Sequence, residues 1–153
     1  MVKSVLMVAV VLAAQAGDGG CAPQGDGVVR SRVCDVDTRG IEVERDGAVI
    51  ADVVTARCDV PPTQHRLDAW LEYRSGAWGG WTMPRFPEGS SLIPDVEGVA
   101  VRVTLPCKEG YYRAAWRATG RGPALPDHPR GIEFDIADAD LGHTRINTED
   151  CEG

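Results

Sequence analysis

Val99-Ala-Val-Arg-Val-Thr-Leu-Pro-Cys107, then Lys108-Glu-Gly110, then Tyr111-Tyr-Arg-Ala-Ala-Trp-Arg-Ala-Thr119 is the stretch that decides the fold class. Val99, Val101, Val103 and Leu105 occupy every second position, with Ala100, Arg102 and Thr104 between them. That period of two belongs to a strand with one buried face. Pro106 cannot donate to a ladder and stops the strand beside Cys107, and Lys108-Glu109-Gly110 supplies the turn. On the return, Tyr112, Ala114, Trp116 and Ala118 share one face while Tyr111, Arg113 and Arg117 share the other, so the large indole of Trp116 is expected inside.

The same alternation extends outward. Ile41 and Val43 oppose Glu42 and Glu44, and Asp46-Gly47 provides the left-handed residues of a tight hairpin. A strand over 49–57 follows, ended by Cys58 and by Pro61-Pro62. Residues 65–74 fit two periods: Leu67, Ala69, Leu71 and Tyr73 read as a strand, whereas Leu67, Trp70, Leu71 and Arg74 suit a helical stripe. Aromatic content and short length favour the strand. Ser75-Gly76 turns the chain, and Pro84, Pro87, Gly89 and Pro94 mark a long irregular connection to Gly98. Gly120 to Pro129 reads as loop. Ile132, Phe134 and Ile136 form a last inward-facing strand, and Asp138 to Gly153 reads as a polar tail.

Short strands with turn residues about every ten positions, each with one apolar face to cover, predict an all-β, antiparallel β-sandwich. The sandwich is immunoglobulin-like only loosely, because Cys58 and Cys107 cap strand ends and Tyr111 and Tyr112 follow the cysteine.

The N-terminus predicts export. Lys3 precedes ten unbroken apolar residues, Val5 to Ala14, and Ala14-Gln15-Ala16 is a small-x-small cleavage site. Ten helical residues reach only about 15 Å, half of a hydrocarbon core of about 30 Å, so the segment suits a signal peptide and not a membrane span. The expected division is a signal peptide at 1–16, a flexible linker at 17–33 and one domain at 34–153. A net charge of -7 disfavours a sequence-independent grip on nucleic acid. Arginine supplies nearly all the positive charge, since the only lysines are Lys3 and Lys108.

Cys21, Cys34, Cys58, Cys107 and Cys151 all follow the apolar leader and contain no CxxC, which points to structural disulfides in an oxidising compartment. Cys21 is the expected orphan. Lipidation is its alternative fate, although Asp18 stands where a lipoprotein signal wants an apolar residue. The expected pairs are Cys58 with Cys107, closing a loop of about 50 residues worth roughly 4 kcal/mol by chain entropy, and Cys34 with Cys151, tethering the two ends of the domain.

Three motifs resemble the small secreted β-sandwich proteins of actinomycete bacteria: Ala56-Arg57-Cys58 with Pro61-Pro62, Leu67 to Arg74 with Trp78, and Cys107-Lys-Glu-Gly110-Tyr-Tyr-Arg113 running to Gly120. The similarity covers roughly residues 41–136. It implies export, a bacterial source and a disulfide-bonded immunoglobulin-like sandwich, and it brings no activity. The chain departs from the group in lacking extra cysteines between Thr82 and Pro94.

Chemistry-bearing residues are sparse. The histidines are His65, His128 and His143; the serines beyond the leader are Ser31, Ser75, Ser90 and Ser91, none in a G-x-S-x-G elbow. Loop or edge histidines are usually solvated. Carboxylate pairs at Glu42/Glu44, Asp68/Glu72 and Glu133/Asp135 read as the wet faces of amphipathic strands. Asp135, Asp138, Asp140 and Gly142 offer oxygen ligands for calcium but lack the EF-hand register, and read instead as a charged tail. No metal or cofactor is expected.

Trp78 and Trp81 stand among Ala77, Gly79 and Gly80, which offer little side-chain volume to bury them. Bulky rings are usually buried, so one or both are expected to fold over the sandwich rim as core, and otherwise with Arg85 and Phe86 they form the candidate contact surface. The expected role is a secreted, non-catalytic module, monomeric or weakly oligomeric, that binds an extracellular protein or glycan. The alternative is a small secreted hydrolase or hydrolase inhibitor, with Pro84 to Pro87 as a taut inhibitory loop.

Overall fold

The computed structural model describes residues 34–44, 48–83, 86–140 and 142–152. The expected leader, the linker with Cys21, the Asp46-Gly47 hairpin, Pro84 and Arg85 lie outside the described residues.

Among the described residues nine strands form two antiparallel sheets: β1 Asp35–Thr38, β2 Glu42–Val43, β3 Val49–Arg57, β4 Gln64–Arg74, β5 Glu88–Ser90, β6 Val99–Pro106, β7 Gly110–Arg121, β8 Glu133–Ala139 and β9 Thr144–Ile146. In the first sheet β3 is central. It pairs with β6 along one edge, and with β1 (Asp35↔Arg57) and β2 (Val43↔Ile50) in succession along the other. In the second, β4 and β7 pair over eleven positions, from Gln64↔Arg121 to Arg74↔Tyr111. β5 flanks β4, while β8 and β9 share the far edge of β7.

The two sheets close on one core because alternate residues of each face the other. Ile50, Val54, Ala56, Val101 and Val103 come from the first sheet; Leu67, Ala69, Leu71, Tyr112, Ala114, Trp116, Ala118, Phe134 and Ile146 come from the second. Tyr112, fully buried at the start of β7, donates its hydroxyl to Lys108 O at 2.8 Å and so pins the β6–β7 corner. The ambiguous stretch 65–74 is a strand, its residues 65, 67, 69 and 71 all buried.

The disulfides correct the sequence-based pairing. Cys34 bonds Cys58 and Cys107 bonds Cys151. The β3–β6 register explains why Cys58 and Cys107 cannot meet: Val49 lies opposite Pro106 and Ala56 opposite Val99, which puts the two cysteines at opposite ends of the sheet. Cys107 stands opposite Ala48, ten residues from Cys58, a separation of about 34 Å at about 3.4 Å per residue. Cys34 and Cys58 each lie one position beyond the β1–β3 pair Asp35↔Arg57, at a Cα separation of 4.1 Å.

Three further readings change. The segment after Asp138 is not a polar tail, because β9 pairs with β7, Ile146 enters the core, and a 3-10 turn at Thr148–Cys151 delivers Cys151 to Cys107. The long connection contains β5, a short edge strand. Gly120, expected to open a loop, still lies within β7 opposite Phe134.

Candidate functional site

The connection singled out for binding begins as an arch with a fixed base. Tyr73 and Thr82 exchange backbone hydrogen bonds at 3.1 and 2.8 Å, and the Thr82 hydroxyl adds a third to Tyr73 O at 2.8 Å. Between these anchors the chain runs from Arg74 through Ser75-Gly-Ala-Trp78-Gly-Gly80 to Trp81. Trp78 is 99% exposed.

Trp81 behaves differently from Trp78, since it lies directly across the arch from Arg74. Its ring is half-buried, with the guanidinium carbons of Arg74 and Arg113 each 4.4 Å from its centroid. His143 meets its edge at 6.3 Å. Phe86, 80% exposed, and the exposed Met83 follow on the chain returning to β5. Of the four residues expected to form the contact surface, Trp78 and Phe86 are presented outward, Trp81 serves as a bed for arginines, and Arg85 lies outside the described residues.

The outer face of the second sheet explains these placements. Register sets Arg74, Tyr111 and Arg145 side by side on β4, β7 and β9. Glu72 and Arg113 are opposite one another in the next row, and His143 just precedes β9. Both Arg74 and Arg145 lie over the Tyr111 ring, at 5.1 and 6.0 Å, and His143 contacts it edge-on at 5.4 Å. Glu72 accepts from Arg113 at 2.7 Å and from the Trp70 indole at 3.4 Å.

Elsewhere the carboxylates of the wet faces are taken up by arginine. Arg39 pairs with Glu42, Arg57 with Asp37, Arg66 with Asp68, Arg102 with Glu44, Arg117 with Asp135 and Arg121 with Glu133. Arg66–Asp68 and Arg117–Asp135 are two-pronged, and the hydrogen bond from Arg117 holds the Asp135 carboxyl below its ordinary range. Each carboxylate of the three strand pairs noted in the sequence is therefore half of an ion pair. Of the proposed calcium ligands, Asp135 is committed to Arg117, and Asp138 and Asp140 accept from the backbone N–H groups of Ala139 and Gly142. Among the described residues no group of three or more His, Cys, Asp or Glu side chains is arranged to hold a metal ion.

The three histidines are dispersed, and His65 is not solvated as expected. It is 5% exposed on the inner face of β4, with Nδ1 3.3 Å from Leu92 O, and burial lowers its pKa. Nε2 has no partner. Beside it a shallow groove of about 430 Å³ is lined by Arg66, Gly120, Phe134 and Asp135. On the outer face of the first sheet, a cleft of about 600 Å³ is lined by Arg39, Glu42, Glu44 and Arg102, whose charges are already paired. At the end of the sandwich remote from the arch, Val60, Leu92, Ile93 and Val96 are exposed on two loops joined by the Cys58 N–H to Asp95 O bond.

The sequence matches no family model, and no curated protein or solved structure matches it.

Arg74, Tyr111, Arg113, His143 and Arg145 were not legible as a group in the sequence. Arg145 belongs to it only through β9. The one trace was the Arg74-to-Trp81 interval itself, whose glycines allow the chain to fold back and set the second tryptophan opposite the arginine.

Proposed function

We propose that this chain is an exported, extracellular, non-catalytic binding module of immunoglobulin-like sandwich type, and that the 74–95 connection is its contact surface. The leader at the N-terminus supports export, as do two disulfides; among the described residues no helix is long and apolar enough to cross a membrane.

The observation that carries the reading is Trp78, 99% exposed at the tip of the arch. An indole presents roughly 150–250 Å² of surface, so leaving it in water forgoes about 4–6 kcal/mol of burial that a partner can recover. The Tyr73–Thr82 anchor reduces the ordering cost of that recovery. Rigid sheets with long connections are where sandwich domains place such contacts.

The test compares wild type with Trp78→Ala on a surface array of neutral and acidic polysaccharides. The variant is expected to keep the wild-type circular dichroism and Tm and to lose binding at least about tenfold, the scale of an interface hot spot. Binding that survives the substitution removes the arch from the contact surface.

A further inference from the structure

We infer that the ligand at this surface is an acidic polysaccharide, its carboxylate or sulfate groups taken by Arg74 and Arg145 and a sugar ring by Trp78. This rests on the arch being the contact surface and adds the chemistry of what it contacts.

In a chain of net charge -7, carboxylates are abundant, and seven of the ten described arginines have one as an ion-pair partner. Arg130, on the β7–β8 connection, is one exception. The other two, Arg74 and Arg145, occupy the same row of the same sheet and flank the same tyrosine. Rings hold them in place of carboxylates. A guanidinium resting on an aromatic face keeps the N–H groups along its edge for another acceptor; Arg145 is exposed and Arg74 half-buried, its Nε shut in against the rings so that only its terminal nitrogens are left to reach a ligand. Arg113 adds a third cation with Glu72 as its counter-charge.

Two cations separated by two inter-strand steps are about 10 Å apart, a spacing that favours a linear polyanion over a single small anion. Screening over about 8 Å weakens the pull of the more distant carboxylates, and Glu72 in the next row is itself paired with Arg113. The rest of the outer face provides an internal contrast, since Arg66, Arg117 and Arg121 toward β8 are all neutralised.

Trp78 selects a sugar over an acidic peptide. Ala77 precedes it and Gly79-Gly80 follow, all exposed and with at most a methyl side chain, so its ring stands on open ground and not in a pocket shaped for a side chain. A flat, unwalled ring is suited to stack against the C–H face of a saccharide.

The experiment is titration of the purified oxidised chain with polygalacturonate, heparin, dextran and poly-glutamate. Polygalacturonate or heparin is expected to bind, and which of them binds tighter assigns carboxylate or sulfate. Affinity should fall with added salt, and Arg74→Gln and Arg145→Gln should each cost about tenfold, the loss of one charge-assisted hydrogen bond. Arg117→Gln, on the neutralised half of the face, should leave binding unchanged, and Arg145→Lys should restore part of it. Dextran bound as tightly as the acidic polymers, poly-glutamate bound best, or Arg117→Gln as harmful as Arg145→Gln would overturn the inference. If Trp78→Ala abolishes binding while both arginine variants bind normally, the arch stands and the acidic ligand falls. If the arginines matter and Trp78 does not, the anion row stands without the arch, and the assignment to a sugar fails.

Discussion

Asp52 Oδ1 accepts the backbone N–H of Gly40 at 2.9 Å, and this bond bridges the interruption between β1 and β2. The ladder along that edge of β3 reaches Arg39, whose N–H bonds Val53 O, and resumes at Glu42. Gly40 would otherwise leave its donor unmet at the sheet edge. The carboxyl that meets it is 3% exposed, faces inward opposite Val103, and leaves Oδ2 without a partner.

The first prediction follows from that burial, which, reinforced by the nearby Asp140 charge, raises the Asp52 pKa against the lowering effect of its backbone hydrogen bonds. The folded value therefore lies above the unfolded value of about 3.9. The stability contributed by the protonated group is complete below the unfolded value and is lost as pH rises through the folded one. Asp52→Asn keeps an acceptor for Gly40 and does not ionise, so its Tm relative to wild type should increase from about pH 4 upward. A relative Tm that declined over the same interval would mean that the native chain favours the ionised form.

Peptide mapping without reduction is the second. Digestion should release one linked pair containing Cys34 and Cys58 and another containing Cys107 and Cys151. A Cys58–Cys107 peptide would contradict the β3–β6 register. Cys151→Ser should cost about 4 kcal/mol by loop-closure entropy and free β9 from the β6–β7 corner, read by chemical denaturation.

Gly120 supplies the third. A Cβ there would fall 2.1 Å from Gln64 O and 2.7 Å from the Phe134 ring. Gly120→Ala must push β4 and β7 apart or displace Phe134, a cost of about 1–3 kcal/mol in urea unfolding. A change below about 0.5 kcal/mol would show that the strands are not so closely apposed.

Tyr112→Phe, the fourth, removes one hydrogen bond and no packing. The expected loss is about 1 kcal/mol with an unchanged denaturant slope.

Legibility in the sequence followed the strength of local alternation. β3, β6 and β7 carry long period-two patterns and were readable to within a residue or two, as was the burial of Tyr112 and Trp116. β1, β5 and β9 were not, because Asp35-Val-Asp-Thr38, Glu88-Gly-Ser90 and Thr144-Arg-Ile146 have at most one apolar residue each and are strands only by virtue of their neighbours. Disulfide pairing depends on which ends of the sheets coincide, a long-range property absent from spacing. The arginine row failed to appear for the same reason: its members lie on three strands, and the last of these was one the sequence concealed. Trp78 stood out beside Gly79 and Gly80, but whether it folds over the rim or stands in water depends on how the arch turns back on β4, which is again a long-range property.

The most direct measurement is an NMR titration of the isotope-labelled oxidised chain with a short oligogalacturonate. The Trp78 indole N–H, the backbone amides of Arg74, Tyr111 and Arg145, and the His143 ring should shift together and saturate at one stoichiometry. Shifts confined to Arg39, Glu44 and Arg102 on the opposite sheet, or the absence of any saturable shift with this ligand and a heparin oligosaccharide alike, would contradict a binding surface at the arch and its arginine row.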